Sequence, residues 1–283
     1  MRIFITSLFM CLCTLSASAQ DKHAGATDSV QVRIVYGGIV EHLQGLRKPE
    51  LWCLDIGRHS AIFYPHTLNM YRELSAYSTS SEEYYIKEEE LAKVYGGVGY
   101  LRWYYMVNSP ESGMYTSISS VASVSYAYNE PLPKVEWQLC DSIKTICEYT
   151  CHKAVAKLYG RTWSAWYTED IPMSYGPYIL NGLPGLVLAA SEDENHFSFE
   201  AESIGRAEGV AVEPYLRGVI PHKCNRAQFM KLRTENDDMT LKERSKRTFI
   251  DVEAFQGKDF EVLNEDGVET GDEVDTYNYF DKE

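Results

Sequence analysis

The sequence predicts a mainly β protein with minor α-helix, built on one curved antiparallel sheet. Three observations predict this fold class. The chain has 5 Trp, 21 Tyr and 10 Phe among 283 residues, and aromatic residues favour pleated, half-buried surfaces. Apolar residues alternate with a period of two through several segments, most densely from Tyr149 to Ile204. Short turns without a regular helix connect these segments, which is typical of antiparallel pairing.

The first 19 residues have the pattern of a secretory signal peptide. Met1 and Arg2 give a positive start, the run from Ile3 to Leu15 is apolar, and Ala17-Ser18-Ala19 supplies small residues at the cleavage site. The apolar run is too short to stay in a bilayer as a spanning helix, and no later stretch is long and apolar enough to do so. We therefore expect cleavage after Ala19 and an exported protein of the periplasm or cell envelope.

Several β segments and one helix are predicted in the first half of the chain. Ser80-Ser81-Glu82-Glu83 spells a capping box, so we expect a helix to begin there and to end at Gly96-Gly97. Alternation of apolar residues predicts strands over Val30–Val40, Leu51–Ile56, Ala61–Tyr64, Leu101–Val107, Val121–Tyr128 and Val135–Leu139.

The second half predicts a hairpin, a short helix and an acidic tail. Leu186 to Ala190 and Phe197 to Ala201 each place apolar residues on one face, around the polar turn Ser191–Asn195. A short helix follows Asn225. Residues 251–283 carry 12 acids against 2 lysines, a composition that favours disorder. The predicted organisation is a signal peptide over 1–19, a β-rich domain over 28–235 and a largely disordered acidic tail over 236–283.

Export affects the interpretation of the cysteines. Five remain after the signal peptide: Cys53, Cys140, Cys147, Cys151 and Cys224. An oxidising compartment permits disulfides, so we expect one or two, with at least one thiol left unpaired and the connectivity open. An alternative is that Cys147, Cys151 and His152 bind a soft metal or act in redox chemistry, which requires a helix or a turn to bring them together. Otherwise no cofactor is predicted.

Charge and motifs exclude several classes of function. The net charge is −14, whereas a protein that binds nucleic acid through phosphates needs a basic surface. The sequence has no nucleophile elbow, zinc-protease helix, phosphate loop or dinucleotide fingerprint. Glu169-Asp170 is interpreted as a solvated loop. The sequence therefore favours a protein that is not an enzyme.

The segment from residue 136 to residue 188 contains several short sequence motifs in a fixed order. They are Trp137; Tyr149, Cys151, Lys153 and Ala154; Gly160-Arg161; Trp163 and Ala165 to Thr168; Ile171-Pro172; Gly176-Pro177; and Gly182 to Leu186, which reads GLPGL. These motifs resemble those of the GLPGLI family, small exported proteins of Gram-negative bacteria without an established activity. The resemblance implies a shared fold and supplies no catalytic residues.

The GLPGL segment is interpreted as a tight apolar corner that leads into a core strand. Pro184-Gly185 spells a type II turn, with a positive φ expected at the glycine, and Gly182 marks a turn after Asn181. Neighbouring aromatic and aliphatic residues are candidates for ligand contact, although core packing alone would explain them. The candidates are Trp163, Trp166, Tyr167, Tyr178, Leu183, Pro184 and Leu186.

Two functional hypotheses follow from this fold. A half-barrel resembling periplasmic lipoprotein carriers would hold a lipid, another apolar ligand or a lipidated partner on its concave face. Alternatively, a fully packed sheet would serve as a structural or interaction protein of the envelope, with the acidic tail as its contact element. A connected apolar pocket favours the carrier, and a filled interior favours the interaction protein.

Overall fold

The structure is a computed structural model that describes most of the chain. Described are residues 28–43, 46–95, 103–122, 124–207, 209–216 and 219–239, together with residue 243 and the pairs 263–264 and 267–268. The predicted signal peptide and most of the predicted acidic tail lie outside these residues. No helix in the described part of the chain is long and apolar enough to cross a membrane.

In the described residues, twelve strands form one open sheet, and three helices accompany it. The spatial order is β12-β6-β5-β4-β3-β2-β1-β11-β10-β9-β8-β7, and every neighbouring pair is antiparallel except β12 with β6. The predicted curved antiparallel sheet with minor helix is confirmed. The strands are β1 (Val32–Leu43), β2 (Leu46–Ile56), β3 (Ala61–Pro65), β4 (Tyr104–Val107), β5 (Met114–Val121), β6 (Val124–Pro131), β7 (Gln138–Ile146), β8 (Tyr149–Leu158), β9 (Arg161–Thr168), β10 (Leu186–Glu192), β11 (Phe197–Gly205) and β12 (His222–Lys223). The helices are α1 (His66–Tyr77), α2 (Ser81–Tyr95) and α3 (Arg226–Asp237), and a separate hairpin joins β13 (Leu263–Asn264) to β14 (Gly267–Val268).

The sheet curls until distant strands touch. The hydroxyl of Tyr115 on β5 lies 3.3 Å from the hydroxyl of Tyr159 in the β8–β9 turn, although six strands separate β5 from β9 in the sheet order. Helix α3 spans the same gap, because Phe229 packs against Tyr128 on β6 and Arg226 lies over the ring of Tyr159. The two arms of the sheet therefore face one another across an interior.

That interior is filled by the connection between β9 and β10. The side chains of Tyr178, Ile179, Leu180 and Leu183 are buried and belong to the same core cluster as the inner faces of the strands. The Tyr178 ring lies 4.7 Å from Tyr105 on β4 and 6.1 Å from Trp163 on β9, measured between ring centroids. We call residues 176–186 the plug, because they join both arms from the inside.

A second layer covers the outer face of β1 to β6. Leu68 of α1 and Val212 of the segment after β11 pack on Tyr64, Tyr104 and other outward residues. Strands β3 and β4 are consequently buried on both faces, which explains why their sequences read as continuous apolar runs.

A charged group is enclosed in this outer layer. The Asp55 carboxylate is fully buried and accepts two hydrogen bonds from Arg33, at 2.6 and 2.8 Å, and one from the Tyr64 hydroxyl at 2.7 Å. These bonds join β1, β2 and β3. They satisfy a carboxylate that would otherwise be costly to bury.

The helices differ in how well the sequence marks them. Helix α2 starts at the predicted capping site, where the Ser80 hydroxyl accepts from the Glu83 N–H, while the Glu83 carboxylate accepts from the Thr79 N–H rather than from Ser80. Helix α3 begins with a complete capping box between Asn225 and Gln228. Helix α1 follows Pro65 directly without a side-chain cap, so no capping residue marks its start.

The GLPGL corner is built differently from the predicted type II turn. The left-handed residue is Gly182, with φ of 87°, and Gly185 is not left-handed. Gly185 is needed for another reason, since a Cβ there would overlap the backbone carbonyl oxygen of Thr168. Leu183 and Leu186 are both buried, and Pro184 is exposed. The segment is thus an apolar corner, held together by close backbone approach.

The predicted disulfides are wrong, because all five cysteines of the described chain are unpaired thiols. Three of them lie far apart: Cys53 faces the outer layer from β2, Cys140 lies on the edge strand β7, and Cys224 lies beside β6 at the opposite edge. Burial raises the pKa of Cys53 to about 12, which keeps this thiol protonated and unreactive.

Candidate ligand cleft

Four connections meet at one end of the sheet and enclose a cleft of about 420 Å³. They are the β2–β3 turn, the β4–β5 turn, the β6–β7 connection and the β9–β10 connection, which emerge at the same end because their strands are antiparallel. We call this the loop-end cleft. Its lining residues are Gln31, Ile56, Gly57, Arg58, Val107, Asn108, Leu132, Pro172, Met173, Ser174, Tyr175, Asn181 and Gly182.

The β2–β3 turn on one side of the cleft is organised by Asp28. Its carboxylate accepts from the backbone N–H groups of Arg58, His59 and Ser60, at 2.9, 2.8 and 3.0 Å, and from the Ser60 hydroxyl at 3.0 Å. Residue 57 must be a glycine here, because a Cβ at this position would collide with the Asp28 carboxylate. The turn therefore holds Arg58 exposed at the rim of the cleft.

The hydrogen bonds to Asp28 make the stability of this turn depend on pH. Burial raises the pKa of Asp28, but the three backbone N–H donors and the Ser60 hydroxyl outweigh it, and the pKa lies below its ordinary value of 3.8. A lowered folded-state pKa stabilises the fold above the unfolded-state pKa, and this contribution is lost as the pH falls through the folded value. We expect Asp28→Asn to lower the free energy of unfolding at neutral pH by about 1–2 kcal/mol, a figure that allows for solvent screening of a partly exposed group.

Urea unfolding of both proteins at neutral pH and at acid pH values below 3.8 checks this. The difference between wild type and Asp28→Asn should shrink as the pH falls below 3.8, where the Asp28 carboxylate takes up a proton. A difference that stays constant from neutral pH to the acid range would contradict the role given to this carboxylate.

The β4–β5 turn meets the β9–β10 connection through Asn108. Its φ is 56°, a left-handed conformation that asparagine tolerates. The Asn108 amide nitrogen donates to the His59 carbonyl and to the Tyr175 hydroxyl, both at 3.2 Å, and its amide oxygen accepts from the Gly113 N–H at 3.1 Å. Three connections are therefore fixed around one amide.

The β9–β10 connection forms the floor of the cleft and leads into the plug. The Gly182 N–H donates to the Ser174 hydroxyl at 2.8 Å, and the Trp137 indole N–H donates to the Asn181 carbonyl at 2.7 Å. The cleft and the plug are consequently parts of one rigid segment, since the residues that line the first run directly into the residues that fill the second.

The chemistry of the cleft is polar and close to neutral. Burial raises the pKa of Tyr175, which outweighs the lowering effect of the Asn108 hydrogen bond, so the phenol stays protonated in the physiological range. Around it lie amide, hydroxyl and guanidinium groups from Asn108, Ser174 and Arg58, next to apolar surface from Met173 and Leu132. Such a surface can hydrogen-bond a polar ligand and also contact its apolar faces.

The seven predicted ligand-contact residues do not converge on one surface. Trp163, Tyr167, Tyr178, Leu183 and Leu186 are buried in the core cluster. Trp166 points to the opposite face of β9, where the Lys144 ammonium lies 4.9 Å from its ring centroid, and Pro184 is exposed. Most residues of the cleft were missed because they lie in turns and connections, where strand periodicity carries no signal. Arg58 and His59, for example, lie between the predicted strands Leu51–Ile56 and Ala61–Tyr64.

The cysteine–histidine alternative has little geometric support. Cys147 lies in the β7–β8 turn and its thiol donates to the Ala201 carbonyl at 3.1 Å. Cys151 and His152 are consecutive on β8 and so point to opposite faces. His152 packs against Tyr167. The turn brings Cys147 towards Cys151, but the imidazole points away from both.

One other group has the composition of a metal site. The ligand atoms of Glu192, Glu194 and His196, at the β10–β11 turn, lie within 4.8 Å of one another. The buried Arg161 guanidinium lies among them, 2.8 Å from Glu192, 3.3 Å from Glu194 and 3.4 Å from the His196 ring. Because the Arg161 guanidinium already supplies a positive charge there, we assign this group a structural role.

Comparisons with known proteins find a family model that resembles the central segment of the chain. Residues 98–215 match the family model described as the N-terminal domain of an N-glycanase peptide. This match includes the β4–β5 turn, the β6–β7 connection and the β9–β10 connection, which form most of the cleft. A search of curated proteins finds no significant match.

A comparison with solved structures finds two similar chains, one of them with a TM-score high enough to indicate a shared fold. A structure of PNGF-II in a C2 crystal form matches with a TM-score of 0.51 and 15% sequence identity over 75% of this chain. A second, in a P21 crystal form, matches with a TM-score of 0.49 and 13% identity over the same share. The chain spans about a third of the length of these structures, because the match covers 34% of each.

The assignment to the GLPGLI family is therefore wrong. The family model that matches over these residues is that of the N-glycanase N-terminal domain, and the fold is shared with PNGF-II. The resemblance to that family was based on the order of short motifs around GLPGL. The GLPGL motif itself forms a local corner of the chain, and such a corner does not identify a family.

Proposed function

We propose that this protein is an exported module that recognises carbohydrate on N-linked glycoproteins through the loop-end cleft, by binding rather than by chemistry. The observation that carries the proposal is the position of the cleft. Three of its four connections lie within the segment that matches the N-terminal domain of an N-glycanase. The signal-peptide pattern of the first 19 residues supports export.

The chemistry of the cleft suits a sugar. Sugars present hydroxyl groups at their edges and apolar C–H groups on their faces, and a site must satisfy both. The described lining supplies amide, hydroxyl, phenol and guanidinium groups, which hydrogen-bond a sugar without exchanging a proton near neutral pH. Tyr175 adds a half-buried aromatic ring beside Met173.

Rigidity of the cleft supports recognition as well. Asp28 makes four hydrogen bonds and Asn108 makes three, and together they fix two of the turns. A preformed site loses less conformational entropy when a ligand binds. Affinity can then come from a few polar contacts in a small cleft.

The plug counts against the apolar-carrier hypothesis. A carrier of this shape would hold its ligand on the concave face, but Tyr178, Ile179 and Leu180 already occupy that face. A lipid could enter only if the plug left, which would expose several buried aromatic and aliphatic side chains at a large cost in free energy.

Calorimetric titration with an N-linked glycopeptide tests the proposal. We expect binding to the glycopeptide and none to the same peptide without its glycan or to a fatty acid. Arg58→Ala and Tyr175→Phe should each weaken binding by about tenfold. The first removes the guanidinium from the cleft, and the second removes the phenol hydroxyl. Arg206→Ala is the matched control, since Arg206 is exposed and lies outside the cleft lining.

Two results would overturn the proposal. Equal binding of the glycosylated and unglycosylated peptides would show that carbohydrate is not recognised. Release of the glycan, detected by mass spectrometry of the peptide after incubation, would show that the protein acts by chemistry.

A further inference from the structure

Arg58 is the one charged side chain in the described lining of the loop-end cleft, which contains no aspartate, glutamate, lysine or histidine. Arg58 is exposed, and within the part of the chain that the structure describes its guanidinium makes no hydrogen bond or ion pair. The Asp28 carboxylate is not its partner, because it lies outside the lining and accepts its four hydrogen bonds from the turn. The cleft therefore presents a guanidinium that is available to a ligand.

The amide and phenol donors of the cleft are already used inside the protein. The side-chain nitrogen of Asn108 has two hydrogens and donates both of them, and the side-chain nitrogen of Asn181 does the same. The Tyr175 hydroxyl has one proton, which it donates to the His59 carbonyl at 3.3 Å. These three side chains can still accept hydrogen bonds, but their hydrogens are committed to fixing the connections.

The side-chain donors left for a ligand are therefore few. They are the Arg58 guanidinium, the amide of Gln31 and the Ser174 hydroxyl, which accepts from the Gly182 N–H and keeps its own proton for donation. The guanidinium has five N–H donors in a fixed planar fork, more than the other two groups together. A planar carboxylate accepts two parallel hydrogen bonds from such a fork, and bonds between charged partners are stronger than neutral ones.

We propose that the glycan recognised by the loop-end cleft ends in a sialic acid, and that Arg58 selects this sugar by binding its carboxylate. The proposal rests on the proposed function of the cleft, and it names the sugar and the residue that distinguishes it. A sialic acid is a sugar that carries a carboxylate on its ring, so it supplies the acceptor that the spare donors require.

The position of Arg58 suits this role. The backbone N–H groups of Arg58, His59 and Ser60 are held by the Asp28 carboxylate, so only the Arg58 side chain has to be ordered when a ligand binds. Apolar surface from Met173 and Leu132 lies in the same cleft and can contact the face of the sugar ring while its carboxylate faces the guanidinium.

Calorimetric titration with two forms of one N-linked glycopeptide tests the proposal. The first form ends in sialic acid, and the second is the same molecule with the sialic acid carboxylate converted to its methyl ester, which removes the charge and keeps the sugar. We expect the wild-type protein to bind the acid about tenfold more tightly than the ester, as one charge-assisted pair at a partly exposed rim allows. Salt should reduce this ratio, because it screens charges near the surface.

Three variants assign the preference to the guanidinium. In Arg58→Gln the acid and the ester should bind within about twofold of each other, and Arg58→Lys should keep a smaller preference than wild type because an ammonium lacks the fork. Arg206→Gln, at an exposed residue outside the cleft lining, should keep the full ratio. A variant that was only partly folded would bind both forms less well by the same factor, so it would not change the ratio.

The outcomes separate this proposal from the proposed function. If the wild-type protein bound the acid and the ester equally well, selection of sialic acid would be overturned, while recognition of the glycan would stand. An unchanged preference in Arg58→Gln would also overturn it, because another group would then bind the carboxylate. If neither form bound, the proposed function would be overturned and this proposal with it.

Discussion

Replacing Arg161 with methionine should lower the free energy of unfolding by about 3–5 kcal/mol, because the substitution leaves a buried carboxylate without its cation. Both side chains of the Arg161–Glu192 pair are almost completely buried, at 1% and 0% exposed, with 2.8 Å between nitrogen and oxygen. Glu192 also accepts from the backbone N–H groups of Glu194, His196 and Phe197, which fixes the β10–β11 turn. The loss should appear in urea unfolding at neutral pH.

Two further variants separate the charge from the packing. Arg161→Met combined with Glu192→Gln should recover part of the lost stability, since it removes the uncompensated charge along with its partner. Glu194→Gln should cost less than about 1 kcal/mol, because Glu194 is 45% exposed and its ion pair is screened by water. A double variant no more stable than Arg161→Met would show that the guanidinium acts mainly by filling space.

The sheet could be predicted from the sequence because its signal is local. Phe197, Phe199 and Ala201 alternate with outward polar residues, and the observed strand buries these three. Helix α2 was found from its capping box. The boundary between β5 and β6 was missed because the turn at Ala122 has a φ of 49° without a glycine, proline or asparagine to mark it.

The cleft could not be predicted in the same way. Asn108 and Tyr175 are 67 residues apart, and neither lies in a periodic segment. Their meeting depends on which strands are neighbours, and the period of a strand does not encode that order. Trp163 and Tyr178 were selected because they are large and aromatic, but size also suits a residue to the core. Composition alone cannot distinguish an aromatic residue that binds from one that packs.

Replacing Gly185 with alanine should also cost about 3 kcal/mol or more, as expected for overpacking against an immovable group. A Cβ at this position would overlap the carbonyl oxygen of Thr168 and come close to its carbonyl carbon. Thr168 pairs directly with Leu186, so β10 would have to separate from β9 to relieve the overlap. The plug and the floor of the loop-end cleft would then move with it.

Two other glycines separate the cost of steric overlap at a Cβ from the cost of a left-handed backbone conformation. Gly182 has φ of 87°, and a Cβ there would make only ordinary van der Waals contacts, at 3.8–3.9 Å from Trp137 and Val135, so Gly182→Ala should cost only about 1 kcal/mol. Gly205 has neither a positive φ nor a neighbour within 4 Å, and Gly205→Ala should change stability by less than about 0.5 kcal/mol. Thermal and urea unfolding of the three variants should rank them in that order. If Gly185→Ala cost no more than Gly182→Ala, the corner would tolerate a side chain at Gly185, and backbone contact with Thr168 would not be what holds β9 and β10 together beneath the cleft.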